Sequence, residues 1–182
     1  SQEPDKPYFM LGHSMGSYLL RRYLSVYGGG LSGAVIMGTG ANPDAVAKLG
    51  MAVCKVIAAF KGWKYRSPFM EKLFFSGDFQ KFDMDGTHPE NSWLTKDTEI
   101  VRFYYSEPRC TFKFTLKAYY DFLKTVYYVN RKENVEKIPK DLPILMVAGD
   151  CDPVGEFGKA VKRVYEMYKA AGINDVTLKL YE

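Results

Sequence analysis

The chain has 182 residues, enough for one domain with a sizeable core. Hydrophobic residues make up 47% and charged residues 25%, the balance of a globular protein rather than of a disordered or membrane-spanning chain. The net charge of +4 is small and the charges are interleaved, as over residues 131–137, so that stretch reads as a solvated face and no nucleic-acid partner is expected.

In chain order, residues 7–11 are a short apolar run that predicts a buried parallel strand. Gly12, His13, Ser14, Met15 and Gly16 follow. Residues 15–27 then carry a helical pattern, with Tyr18, Leu19, Tyr23 and Val26 on one side and Arg21 and Arg22 on another. Gly28, Gly29 and Gly30 end that helix. Residues 34–37 predict a second buried strand, closed by the loop Gly38, Thr39, Gly40. From about Asn42 to Lys140 the sequence turns helical, aromatic and irregular. A helix is expected from Pro43 to about Lys61, a short one opening at Thr95, and a longer one over residues 114–129. This stretch reads as an insertion that adds no strand to the sheet. Residues 144–148 predict a third strand, with residues 149–153 as the loop at its end. Residues 155–171 predict a helix burying Val161, Val164, Tyr165 and Tyr168, stopped by Gly172. Residues 176–180 predict a fourth strand. Strands alternating with helices imply a parallel sheet with right-handed crossovers. The expected organisation is one discontinuous domain: core over 1–41 and 141–182, helical cap over 42–140.

Cys54, Cys110 and Cys151 are odd in number, widely spaced and without a Cys-x-x-Cys pair, so neither a disulfide framework nor a zinc site is expected. No apolar run is long enough to span a bilayer. The sequence opens on Ser1 without the pattern of a signal peptide, and a cytoplasmic location is the expectation.

The strongest chemical signal is Gly12-x-Ser14-x-Gly16, entered from an apolar strand and left into a helix. A tight strand-to-helix turn strains the middle residue and lifts its side chain over the sheet. Gly12 and Gly16, having no Cβ, let strand and helix approach. Ser14 Oγ would attack an acyl carbonyl, and the backbone N–H of Met15 would donate to the oxyanion. His13 adjoins the serine, but neighbouring side chains at a sharp turn point apart, so it is expected to pack against the sheet rather than act as base.

A nucleophilic serine needs a histidine and a carboxylate that orients it. Asp150 and Asp152 compete for the carboxylate. Asp152 lies further past the strand end, before Pro153, and is the expected acid, whereas Asp150 is expected to make turn hydrogen bonds. The histidine should follow the fourth strand, yet no histidine follows Asp152, and His88 lies in the insertion.

Residues 12–16, the Gly-Asp-x-Asp-Pro-Val run over 149–154 and the insertion between them resemble the monoglyceride lipase and lysophospholipase branch of the α/β-hydrolases. Residues 91–97 and 105–112 are similar to cap segments of its bacterial members. The resemblance implies a partial α/β-hydrolase fold: the second half of the parallel sheet plus a helical cap. It places the nucleophile on Ser14, the acid on Asp152 and one oxyanion donor on Met15. The second donor and the histidine would lie upstream of Ser1 and downstream of Glu182. It implies no metal and no organic cofactor, a bacterial source, and an ester or lipid substrate.

The expected reaction is hydrolysis of a monoacylglycerol or lysophospholipid through acylation and deacylation of Ser14. Trp63, Phe69, Phe74 and Trp93 are expected to bind the acyl chain, with attachment of the cap to the core as the alternative role. A short-chain esterase, thioesterase or peptidase on the same triad, or a silent ligand-binding homologue, are the alternatives. Transient contact with a membrane surface and the oligomeric state stay open.

Overall fold

The computed structural model describes residues 6–182. Four strands form one parallel sheet in chain order: β1 (Phe9–His13), β2 (Gly33–Met37), β3 (Ile144–Gly149) and β4 (Val176–Tyr181). The register aligns their C-terminal ends. His13 lies opposite Met37, Met37 opposite Val147, and Gly149 opposite Tyr181. Helix α1 (Met15–Tyr27) connects β1 to β2. Between β2 and β3 come α2 (Asp44–Lys61), α3 (Pro68–Phe74), α4 (Thr98–Ser106), α5 (Leu116–Val129) and α6 (Lys132–Val135), and α7 (Lys159–Ala170) connects β3 to β4.

The chain divides into two compact units, Ser1–Lys48 with Phe122–Glu182, and Leu49–Asp121. The first holds the sheet. Its core joins Leu20 and Leu24 of α1, Ala34 and Ile36 of β2, Ile144 and Met146 of β3, Val176 of β4, and Val164 and Tyr168 of α7. Burying each of the larger side chains stabilises the fold by roughly 1.5–3 kcal/mol. In β3, Ile144, Met146 and Ala148 are buried, whereas the alternate residue Leu145 is 37% exposed. On β1 the outward side chains, Phe9 and Leu11, are more than 60% exposed. The strands were expected to be buried on both faces, as near-continuous apolar runs are. Residues 6–182 cover one face, and period-two alternation puts every second side chain on the other.

Helix α1 differs from its sequence reading in a similar way. The buried side chains are Ser17, Tyr18, Leu20, Arg21, Leu24 and Ser25, while Leu19, Tyr23 and Val26 are exposed. Arg21 is buried with acceptors at both terminal nitrogens of its guanidinium. It donates to Thr39 Oγ1 at 3.2 Å, the Gly40 carbonyl at 2.8 Å, the Val129 carbonyl at 3.2 Å and Asn130 Oδ1 at 2.8 Å. Val129 ends α5, and the negative end of a helix dipole suits a cation. The helix stops at Tyr27 as expected, but not at a left-handed first glycine. Gly28 has an ordinary helical φ of −65°, and the left-handed residue is Gly30 at +86°.

Other boundaries move for local reasons. Helix α4 opens at Thr98 because the Asp97 carboxylate accepts from the N–H groups of Glu99 and Ile100, which makes Asp97 the cap. Helix α7 opens at Lys159 rather than Gly155, since Glu156, Phe157 and Gly158 have φ of 49°, 55° and 82°. The interleaved charges over 131–137 hide a turn of helix, α6, whose Asn134 and Val135 are buried.

In the second unit, aromatic rings form a connected cluster. Phe74 stacks near Phe75 and Tyr119, and Trp93 near Phe75 and Phe79, all with centroids under 6 Å apart. Burial and the neighbouring Glu71 and Cys54 push the Tyr119 phenol up to about 12. Asp83 and Ser92 form an isolated β-bridge outside the sheet. Among the described residues no helix is long and apolar enough to cross a membrane.

Candidate active site

Ser14 occupies the turn between β1 and α1 with φ 52° and ψ −122°. A non-glycine residue at positive φ is strained by about 1–3 kcal/mol and persists only where its surroundings over-determine it. Here they do so by three hydrogen bonds. The Ser14 N–H donates to the Met37 carbonyl at 2.9 Å, and the Ser14 carbonyl accepts from the Ser17 N–H at 2.9 Å and the Ser17 hydroxyl at 2.6 Å. The Ser14 side chain makes no capping bond to α1. Met15 is the first residue of α1, so its N–H is among the four that no helix carbonyl accepts, at the positive end of the helix dipole.

The two motif glycines are not equivalent. A Cβ on Gly12 would lie 2.4 Å from the Gly16 carbonyl oxygen and 2.8 Å from Leu20 Cβ, so strand and helix touch there through bare backbone. A Cβ on Gly16 would meet nothing within 4 Å. The close approach expected of both glycines is needed at Gly12 alone.

Asp152 lies three residues past the end of β3, at the same rim of the sheet as Ser14. Its Oδ1 accepts from the Val154 N–H at 2.8 Å, and its carbonyl accepts from the Phe157 N–H at 3.0 Å. Burial pushes the carboxyl above the usual aspartate range. The Val154 N–H, the nearby His13 and the Gly155 backbone pull the other way. The turn hydrogen bond expected of Asp150 is made by Asp152, and Asp150 is exposed. His13 does not pack into the sheet. It is exposed at the end of β1, on the face shared with Phe9 and Leu11. Its ring edge and Asp152 Oδ2 both border the bare Cα of Gly38.

Sequence reasoning missed the loop that ties these parts together. Residues 38–41 contact both α1 and the segment after Asp152. Arg21 holds Thr39 and Gly40. The buried Tyr18 hydroxyl bonds the Gly40 backbone, and burial pushes that phenol up to about 12. A Cβ on Gly40 would lie 2.5 Å from the Val154 carbonyl oxygen. Arg163 bridges the Ala41 carbonyl at 3.2 Å and Glu156 at 2.7 Å. The legible signal was the pair of glycines, Gly38 and Gly40, in the loop that closes β2.

The predicted acyl-binding residues all lie in the second unit. Trp63 is 40% exposed and meets the Tyr120 ring, and Phe69 is 59% exposed. Phe74 and Trp93 are brought together through Phe75, and Trp93 Nε1 donates to the Tyr105 hydroxyl at 3.3 Å. A surface groove of about 490 Å³ in the first unit is lined by Ala41–Asp44, Asn130, Glu156, Arg163 and Met167, none of them a predicted site residue. Among the described residues no three His, Cys, Asp or Glu side chains cluster as a metal site.

A parallel sheet with a strained serine between strand and helix, and an aspartate loop at the same rim, defines the α/β-hydrolase class. Within it the chain belongs to the family described as serine aminopeptidase, S33, whose model matches residues 1–182. Among solved structures, a highly thermostable carboxyl esterase from Bacillus coagulans, crystallised with glycerol, is 31% identical with a TM-score of 0.85. The match covers 99% of this chain and 57% of the esterase. A lipase in an open form is 24% identical over 100% of this chain and 58% of its own, with a TM-score of 0.79. A soluble variant of monoglyceride lipase from Saccharomyces cerevisiae is 21% identical over 99% and 54%, with a TM-score of 0.69. These last two share the fold. The chain thus spans less than two thirds of the length of the proteins it resembles. No curated protein sequence matches it.

Proposed function

We propose that this chain carries the nucleophile and the acid of a serine hydrolase that cleaves carboxylic esters with one apolar acyl chain, such as a monoacylglycerol or lysophospholipid. The observation that carries the reading is the strained Ser14 at the β1–α1 turn. A fold stores strain of this kind where a side chain must be presented rather than packed. The 31% identity to a carboxyl esterase adds chemical support.

In this reading Ser14 Oγ attacks the ester carbonyl while a histidine takes its proton. The Met15 N–H donates to the oxyanion as it forms. The histidine then protonates the leaving alcohol, and water repeats the sequence on the acyl-enzyme. Asp152 orients the histidine and stabilises its charged form. That histidine and a second oxyanion donor belong to the part of the relatives' length that residues 1–182 do not span. The Leu49–Asp121 unit is the cap, and Trp63, Phe69, Phe74 and Trp93 meet the acyl chain. The wide exposed ring surface of Phe69 supports this. Helix α2 exposes Val46, Leu49, Val56 and Phe60 beside Lys48 and Lys55, which suits transient contact with a lipid surface.

Fluorophosphonate labelling of the whole gene product, with the adduct mapped by mass spectrometry, tests the nucleophile. An adduct on Ser14 that disappears in Ser14→Ala is expected. A folded protein without an adduct would sink the hydrolase reading. A chain-length series of esters then separates long-chain from short-chain substrates.

A further inference from the structure

We infer that Arg163 of α7 is a positioning residue for the Asp152 loop, acting through the left-handed turn that begins at Glu156. The inference rests on reading Asp152 as the acid.

The turn after the acid is built in an uncommon way. Glu156, Phe157 and Gly158 follow one another with φ of 49°, 55° and 82°. Glycine enters this region freely, whereas in any other L-residue the Cβ comes too close to the following carbonyl oxygen. Two of the three positions nevertheless carry side chains. The turn also closes the acid loop. The Phe157 N–H donates to the Asp152 carbonyl at 3.0 Å, and the Glu156 N–H to the Pro153 carbonyl at 3.2 Å. Because the peptide unit is planar, φ and ψ of Glu156 set the direction of the Phe157 N–H. An ordinary backbone at Glu156 would swing that N–H away from Asp152.

A glycine at 156 would be free of strain but would lack a carboxylate. Glu156 Oε1 accepts from Arg163 Nη2 at 2.7 Å, and the same nitrogen donates to the Ala41 carbonyl at 3.2 Å. Arg163 stands on a fixed element, since α7 buries Val161, Val164 and Tyr168 in the core. One nitrogen therefore ties the loop after β3 to the loop after β2. The two side chains are 50% and 39% exposed, so water screens the pair and it adds little to global stability. What it supplies is direction. It holds Glu156 left-handed and so keeps the Phe157 N–H on the Asp152 carbonyl, while the Val154 N–H holds Oδ1 at 2.8 Å. Main chain and carboxylate of Asp152 are then both restrained, as an acid that orients a histidine requires.

The test compares Arg163→Met, Arg163→Lys and Glu156→Gly in the whole gene product. Asp152→Asn is the reference for a lost acid. Lys162→Ala, at an exposed neighbour on α7, is the control and should match the parent. Fluorophosphonate labelling is read as two quantities, the rate constant and the final labelled fraction, beside a thermal melt. A loss of folded protein lowers the fraction, whereas a misplaced acid lowers the rate constant at full labelling. Arg163→Met is expected to lower the rate constant on the order of tenfold, as small misplacements of catalytic groups do. Arg163→Lys should recover most of it, because a single nitrogen makes both bonds. Glu156→Gly removes strain and anchor together. It should melt at or above the parental temperature yet label as slowly as Arg163→Met, and it reports on the pair even if Arg163→Met fails to fold. Parental rate constants in Arg163→Met and Glu156→Gly, with Asp152→Asn slow, would overturn the inference and leave the acid in place. A lowered fraction at an unchanged rate constant would overturn it too, since the pair would then serve the fold alone. Asp152→Asn labelling at the parental rate would remove the acid reading itself.

Discussion

Single residues at this rim carry burial and backbone strain that cost the fold stability. Burial raises the folded-state pKa of Asp152 above its unfolded value near 3.9, so the ionised carboxylate costs the fold stability at neutral pH. That cost is present above the folded pKa, shrinks as pH falls through it, and is gone below about 3.9. Asp152→Asn, which keeps the acceptor for Val154, should therefore raise the melting temperature at pH 7 and abolish turnover. Thermal melts from pH 7 to 3 should show the advantage vanish at the acid end. The two motif glycines give a paired prediction. Gly12→Ala forces a Cβ against the Gly16 carbonyl and should destabilise by about 1–3 kcal/mol. Gly16→Ala meets open space and should leave urea midpoints within about 0.5 kcal/mol.

At the scale of elements, the site depends on one loop that several elements grip. Residues 38–41 receive Arg21 and Tyr18 from α1 and Arg163 from α7, and they abut the segment after Asp152. A buried arginine with carbonyl and hydroxyl partners is costly to remove, because each abandoned acceptor keeps its desolvation penalty. Arg21→Met should destabilise by roughly 3 kcal/mol in urea titrations. It should also slow Ser14 labelling, since the loop that spaces α1 from the acid loses its anchor. The conservative Arg21→Lys should recover little, because one ammonium cannot span four acceptors on two loops and a helix end.

At the scale of the whole molecule, among the described residues β1 is an edge strand and one face of the sheet exposes apolar side chains. Tyr8, Phe9, Leu11, Leu19, Val26 and Tyr27 are each at least half exposed, all on β1, the residue before it, or α1. A bare strand edge beside a wide apolar surface invites association. Expressed alone, residues 1–182 should elute as oligomers in size-exclusion chromatography with light scattering and show almost no esterase turnover. A soluble monomer with Ser14-dependent hydrolysis would show that these residues suffice by themselves.

The sequence alone specified the four strands, the turn at Ser14, the aspartate loop and the helical stretch between β2 and β3. Each is written in local signals: apolar runs, a glycine-flanked serine between strand and helix, a carboxylate at a strand end. Tertiary structure decided which faces are buried. Arg21 reads as a surface charge until four acceptors from distant segments surround it, and Leu19 and Tyr23 read as core until the helix is rotated onto the sheet by Leu20 and Leu24. It also decided that Gly12 and not Gly16 makes the close approach, and that His13 and Asp152 both border Gly38. Those two residues are separated by most of the chain, and only strand register brings them to one glycine. Periodicity reports which residues share a face, and the direction that face takes depends on partners far away in sequence.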